Sequence, residues 1–140
     1  MKTQGVGSNA FILNRKNQIL LVKRALDDTD YPGHWELPGG KIDYGETAQE
    51  SLQREVKEEC GLDVNVLIPL ASNFFYIGET QIFETTFLCE ISDGKSNVKL
   101  SHEHSEYKWV NPDDIDSLKL PKYMDKVVKS SKKALKFRKE

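Results

Sequence analysis

The sequence predicts an α/β fold in which a few helices pack on a mixed β-sheet. Two apolar runs of β type, "GSNAFILN" and "QILLVKRA", are separated by a polar turn. Two further strand-like runs, "VNVLIPLASNFFYI" and "QIFETTFLCEI", follow a single long amphipathic segment and are separated by the turn "GET". Strands that are interspersed with only a few helices favour a mixed sheet covered by those helices.

Length and composition suit one compact domain that spans residues 1–140. The chain has 38% hydrophobic and 30% charged residues, which is ordinary for a soluble globular protein. No apolar run approaches the roughly 18 residues of a membrane-spanning helix, and the start lacks the layout of a secretory signal. A cytoplasmic protein without a membrane partner is therefore expected. Cys60 and Cys89 form no disulfide framework or metal motif and are predicted to be reduced core thiols.

A short strand, a glycine-rich loop and one helix are predicted between the two pairs of strands. "WELP" is predicted as a short strand that Pro38 ends, and "GGKIDYGE" as a loop with three glycines. The helix is expected from about Thr47 to Cys60, because Gly61 is a natural C-terminal stop.

The second half of the chain continues with strands and ends in a helix. Period-two alternation in "QIFETTFLCEI" places one set of residues opposite Glu84 and Glu90, and that set is Phe83, Phe87, Cys89 and Ile91. "YKWV" is predicted as a further short strand and "NPDDIDSL" as a short helix. A basic helix over about residues 121–138 is expected to pack on the body through a stripe that contains Met124, Val127 and Val128.

Three glutamates occupy unusual positions on the central helix. Successive residues are about 100° apart on a helical wheel, so Leu52 and Val56 lie on a buried stripe. Glu55 and Glu59 border this stripe, and Glu58 lies at its edge. Carboxylates at this spacing repel one another, lose hydration when they are partly buried, and oppose the helix dipole.

A divalent cation would compensate for these penalties. Clustered carboxylates together with a loop carbonyl are ligands that suit Mg²⁺ or Mn²⁺. The alternative is a surface helix with a charged face. The "PGG" stretch before the helix favours the ligand site, because glycine permits close approach of the backbone to a ligand.

The residues from Gly40 to Leu62 resemble the Nudix box. After Gly40 come five residues and Glu46, then seven residues and the stretch "REVKEECGL", which starts at Arg54. This pattern is the signature of hydrolases that act on nucleoside diphosphates linked to another group. "WELPGGKID" and "HEHSEYKWVNPDDIDSL" are similar to the usual flanking segments, and the length resembles a MutT-like member. The resemblance implies an α/β/α sandwich around a mixed sheet.

The resemblance also implies roles for individual residues. The cation would be held by the Gly39 carbonyl and by three carboxylates, which belong to Glu55, Glu58 and Glu59. Gly40 and the pair of Glu46 and Arg54 would support the loop. The general base would be Glu55 or an acid outside the box, for which Glu103 is preferred because coordination makes Glu55 a poor base. His102 and His104, which flank Glu103, are expected to be surface residues.

The activity implied is Mg²⁺-dependent hydrolysis of a pyrophosphate bond in a nucleoside di- or triphosphate derivative, with Mn²⁺ as a substitute. The default is a MutT-like nucleoside triphosphate pyrophosphatase. Two alternatives remain: hydrolysis of a nucleotide conjugate such as ADP-ribose, a dinucleoside polyphosphate or a nucleotide sugar, and a non-catalytic regulatory domain that binds nucleotides. The partner would be the nucleotide, without a nucleic-acid polymer, and the protein a monomer or homodimer.

Residues for nucleotide binding are proposed on residue type alone. Arg24 follows a strand and would meet a phosphate or the base. Aromatic side chains offer stacking surfaces, and the candidates among them are Trp35, Phe75 and Tyr76.

Overall fold

A computed structural model describes residues 1–93, 95–118 and 120–139. The strands are β1 (Thr3–Leu13), β2 (Ile19–Arg24), β3 (Trp35–Glu36), β4 (Gly39–Lys41), β5 (Val64–Ile77), β6 (Thr80–Ile91) and β7 (His104–Val110). The helices are α1 (Ala48–Cys60), the 3-10 helix Pro112–Ser117 and α2 (Lys122–Lys139). None of the described helices is long and apolar enough to span a membrane.

The sheet is mixed, as the sequence predicts. Its main strand order is β3-β2-β1-β6-β5, with β4 paired to β1 and β7 paired to β2. Strand β1 runs parallel to β6 along its whole length, from Thr3 opposite Thr80 to Leu13 opposite Glu90. The other pairings are antiparallel. Strand β1 thus lies inside the sheet, where its alternating side chains supply both faces.

Each face of the sheet is covered by one helix. Phe11 of β1 packs in a cluster with Met124, Val127 and Val128 of α2. Ile12, on the opposite face of β1, belongs to a second cluster that contains the apolar stripe of α1. The α/β/α arrangement that the sequence predicts is therefore confirmed, and the stripe of α2 is buried as expected.

The ends of α1 follow from local chemistry. The Thr47 hydroxyl accepts a hydrogen bond of 3.1 Å from the backbone N–H of Glu50, which makes Thr47 the N-cap. Gly61 adopts a left-handed conformation with φ of 70° and donates its N–H to the Lys57 carbonyl. The predicted helix is correct at both ends, so the spacing of the acids along one face is retained.

The stretch predicted to be a continuous loop after Pro38 begins instead as strand β4. Gly39 lies opposite Asn9 of β1, and a Cβ atom at Gly39 would lie 2.2 Å from the Ser8 carbonyl oxygen and 2.6 Å from the Asn9 Cα. Only glycine allows this approach. The prediction of a loop was wrong because the glycines bring the chain close enough to β1 to pair with it.

Both faces of β6 contribute to the interior. Phe87 and Cys89 pack against the α1 cluster, but Phe83, which was placed on the same face, is 45% exposed. The helix that covers this face therefore does not protect the start of β6. On the opposite face Leu88 is buried, and Glu84 lines a cleft.

Candidate active site

A cleft lies where the start of α2 faces strands β1, β5 and β6. It encloses ≈ 180 Å³, less than the roughly 300 Å³ at which sites for drug-sized ligands begin. Phe75 and Tyr123 lie on its wall, and the same cleft reaches Glu59 and Glu103. It can thus hold one ring system at an aromatic surface while the rest of a ligand reaches the acids.

Glu59 is the most buried acid of the site. Its relative exposure is 2%, and one carboxylate oxygen accepts a 3.2 Å hydrogen bond from the Gly39 N–H. Burial, followed by repulsion from Glu36, Glu55 and Glu103, raises the pKa of Glu59 to about 9. Among the described residues, no lysine or arginine forms an ion pair with it. A metal ion bound beside Glu59 would supply the missing positive charge.

Gly40 allows a second acid to approach the backbone of β4. A Cβ atom at this position would lie 2.7 Å from the Glu55 carboxyl carbon. Burial raises the pKa of Glu55, and Arg54 opposes this shift. The backbone of Gly39 and Gly40 therefore lies directly against Glu55 and Glu59, as a site shared by a loop carbonyl and helix carboxylates requires.

Arg54 holds the segment before α1 in place. Its Nε and Nη2 atoms donate to the two Glu46 carboxylate oxygens at 2.8 and 2.9 Å, and this bidentate contact lowers the pKa of Glu46 to about 2. Its Nη1 atom also contacts Glu55 at 3.0 Å and Glu58 at 3.3 Å. Glu46 and Arg54 therefore form a pair, and Arg54 also contacts two acids of α1. Glu58 remains 58% exposed.

Glu103 and His104 bring the start of β7 to the same place. One ligand atom from each of Glu59, Glu103 and His104 lies within 4.8 Å of the other two. The expectation of a surface position for His104 was wrong, since it is 5% exposed. Its Nε2 atom lies 2.8 Å from Glu36, and its Nδ1 atom lies 3.7 Å from Glu59. His102 is exposed, as expected.

Arg24 lines the cleft but is held by acids. Its guanidinium contacts Glu36 at 3.1 Å and Asp28 at 2.9 Å. Its pKa is raised by these two carboxylates, although burial opposes the shift. The Glu36 carboxylate contacts both Arg24 and His104. Glu36 therefore links Arg24 to the histidine that lies beside Glu59.

Two of the three aromatic residues proposed to bind the nucleotide lie outside the cleft. Trp35 is buried in the α2 core cluster, and the Lys108 Nζ atom lies over its ring, 5.3 Å from the ring centroid. Tyr76 is 61% exposed and packs edge-on against Phe74, on the strand face opposite that of Phe75. Alternation along β5 determines which side chains face the cleft. Two register shifts in β5 change this alternation, so the sequence alone does not show it. Phe75 does line the cleft.

Several residues of the cleft were missed by the sequence reasoning. Tyr123 stacks on Phe75 with ring centroids 4.6 Å apart. Glu36 and Glu84 are acids in strands, and Asn9 is a buried polar residue in an apolar strand. A polar residue within a buried strand was the available signal, but the sequence does not show which face each one occupies.

The comparisons with known proteins agree with this geometry. The family model of the NUDIX domain matches residues 3–130. The chain belongs to the NUDIX family. A curated relative, the nucleoside triphosphatase NudI of Escherichia coli O139:H28, is 28% identical in an alignment that covers 74% of this chain and 80% of that protein. The recognition of a MutT-like Nudix hydrolase from the box is thereby confirmed.

Solved structures show the same fold over nearly the whole NUDIX chain. The MutT protein from Methanosarcina mazei Go1 superposes with a TM-score of 0.85 at 29% identity, covering 99% of this chain and 98% of that chain. The NUDIX domain of Shewanella oneidensis NrtR, complexed with ADP ribose, superposes with a TM-score of 0.76 at 18% identity. This superposition covers 96% of this chain and 90% of that chain, and it shows a likeness of fold.

Proposed function

We propose that this protein is a Mg²⁺-dependent nucleoside triphosphate pyrophosphohydrolase that releases a nucleoside monophosphate. The observation that carries the proposal is the buried Glu59 carboxylate, which lies beside Glu55 and Glu103 without a lysine or arginine partner among the described residues. The name of the NudI relative supports a nucleoside triphosphate as substrate. A protein that only bound nucleotides would not need to keep this repulsive cluster.

The donor set fits a hard divalent cation. Glu55, Glu58 and Glu59 would bind it through carboxylate oxygens, together with the Gly39 carbonyl, and oxygen ligands favour Mg²⁺. Burial and neighbouring acids raise the pKa of Glu59 to about 9, and a bound cation would favour its ionised form. When bound, the cation neutralises phosphate charge and activates water for attack. Mn²⁺ would replace it, since it has the same ligand preference.

The other residues have supporting roles in this proposal. Arg54 keeps the segment that carries Glu46 fixed against α1 through its bidentate contact. Glu103 is exposed and offers one carboxylate oxygen within 4.8 Å of ligand atoms of Glu59 and His104, so it can reach a water molecule bound beside the acids of α1. We assign it the role of general base, in preference to Glu55. Arg24 lies on the wall of the cleft and would contact a phosphate.

The test is product analysis on a panel of nucleotides, with and without Mg²⁺. The panel contains the ribo- and deoxyribonucleoside triphosphates together with ADP-ribose, a dinucleoside tetraphosphate and a UDP-sugar. Release of monophosphate and pyrophosphate from triphosphates, dependent on Mg²⁺, is the expected result. Faster cleavage of a conjugate would overturn the substrate assignment, and an absence of cleavage throughout the panel would overturn the assignment of an enzyme.

A further inference from the structure

We infer that the Glu84 carboxylate binds the base of the substrate and selects guanine, whose edge carries two adjacent N–H donors. The inference rests on the proposed function, because it names the base of the same nucleotide. Glu84 lies in the middle of β6 and lines the cleft that also contains Phe75 and Tyr123. An acid at this place faces a ligand ring that lies against the aromatic wall.

Two buried residues hold the Glu84 carboxylate in one orientation. The Asn9 side-chain amide donates a 2.6 Å hydrogen bond to Glu84 Oε1, and the Thr86 hydroxyl donates to Asn9 Oδ1. Asn9 is 2% exposed and Thr86 is 1% exposed, so both side chains are fixed inside the sheet. Because an ionised carboxylate only accepts, the Asn9 N–H₂ group faces Glu84 while Asn9 Oδ1 accepts from Thr86. The second oxygen of Glu84 is left for another donor.

The backbone beside Glu84 leaves room for that donor. Gly7 of β1 is the residue opposite Glu84, and a Cβ atom there would lie 3.6 Å from Glu84 Oε2 and 3.2 Å from the Gly40 carbonyl oxygen. Any other residue would extend a side chain into this part of the cleft, which Gly7 also lines. The position next to the free oxygen is therefore open.

The local structure gives Glu84 no positive partner. Within the described residues, it forms no ion pair with a lysine or arginine, and its one recorded side-chain hydrogen bond comes from the neutral amide of Asn9. Burial, with added repulsion from Glu36, raises the pKa of Glu84 to about 7. A carboxylate held in a cleft at this cost is explained by N–H donors on a ligand, which favour the ionised form.

The chemistry of the base edges selects guanine. An ionised carboxylate offers only acceptors. Guanine presents N1–H and N2–H₂ side by side, so one donor can meet Glu84 Oε2 and the other can meet the remaining lone pair of Oε1, which already accepts from Asn9. Adenine and cytosine place a ring-nitrogen acceptor beside the amino group, and thymine places a carbonyl on each side of its N–H. Each of these bases would set an acceptor against the carboxylate.

The test compares dGTP with dITP, which differs only by the absence of the 2-amino group. The wild-type protein should give a kcat/KM for dGTP that exceeds the value for dITP by about 10-fold to 100-fold, the range expected for a hydrogen bond to a charged group. Glu84→Gln, which removes the charge, should bring the two values within about 3-fold. Glu90→Gln is the matched control, because Glu90 is an exposed acid on the same strand.

Thermal melting first establishes that each variant is folded. If Glu84→Gln does not fold, Glu84→Asp keeps the charge, withdraws the carboxylate by one methylene, and should also lower the dGTP preference. A wild-type ratio near one, a ratio that neither variant changes, or a higher kcat/KM for dATP or dCTP would overturn the role of Glu84. An absence of hydrolysis of every nucleotide would instead contradict the proposed function itself.

Discussion

Glu59→Gln should stabilise the metal-free protein, and more strongly as the pH rises. The Glu59 side chain is buried, and its pKa is raised from an ordinary value of 4.5 to about 9. Between these two values the unfolded chain ionises Glu59 while the folded protein keeps the proton. Unfolding then releases a proton, so the free energy of unfolding falls as the pH rises. Below the lower value both states are protonated, and the stabilising contribution is complete.

The size of the effect follows from the slope of this linkage. One group contributes about 1.4 kcal/mol per pH unit, so the contribution of Glu59 falls by about 3 kcal/mol from pH 6 to pH 8. For a domain of this length, that corresponds to roughly 10 °C in Tm. Glutamine has no proton to lose and keeps a similar shape. The difference in Tm between the variant and the wild type should therefore widen by this amount over the interval.

The assay is thermal unfolding followed by circular dichroism, at pH 6 and pH 8, in chelator and then in excess Mg²⁺. Because the metal binds ionised carboxylates, it should raise the wild-type Tm more at the higher pH. Glu59→Gln should respond weakly to Mg²⁺. Glu50→Gln, on the exposed side of α1, is the control and should follow the wild type. Parallel pH profiles for wild type and Glu59→Gln would refute the claim that this carboxylate is buried without compensation.

Three further outcomes are expected from other parts of the site and core. Arg54→Ala should lower both Tm and kcat, the latter by more than about 10-fold, because the bidentate contact to Glu46 holds the segment before α1; a loss of kcat with an unchanged Tm would point to direct substrate contact. Glu103→Gln should lower kcat by about 10²-fold or more with a small change in apparent Mg²⁺ affinity; if only Glu55→Gln has this effect, the base lies in α1. Val127→Ala should lower Tm in thermal denaturation without changing KM, since Val127 is buried in the core cluster of α2 and does not line the cleft; an unchanged Tm would contradict the packing of α2.

The sequence was sufficient for features that depend on short-range spacing. The positions of Thr47 and Gly61 fixed the ends of α1, so the wheel placed Glu55 and Glu59 beside the buried stripe, and in the structure Glu59 is buried with it. The pairing of Arg54 with Glu46 was likewise predicted, because both residues belong to one local motif. In each case the interacting groups lie within a short segment whose geometry is set by the helix period.

Features that depend on contacts between distant segments were not predictable in the same way. His104 is separated by 68 residues from Glu36, and its burial follows from the pairing of β7 with β2, which periodicity does not reveal. The register shifts within β5 change which residues face the cleft, so residue type alone did not distinguish Phe75, which lines the cleft, from Tyr76, which does not. The role of Glu84 depends on Asn9, which comes from the neighbouring parallel strand.

The most direct test of the central claim is the rate of nucleoside triphosphate cleavage as a function of Mg²⁺ concentration in wild type, Glu59→Gln and Glu50→Gln. All three proteins are to be shown folded by their melting curves under the same conditions. Saturable Mg²⁺-dependent release of pyrophosphate by the wild type and Glu50→Gln, with a loss of about 10²-fold or more in Glu59→Gln, is the predicted result. Equal Mg²⁺-dependent rates in wild type and Glu59→Gln would contradict the assignment of the acid face of α1 as the catalytic metal site.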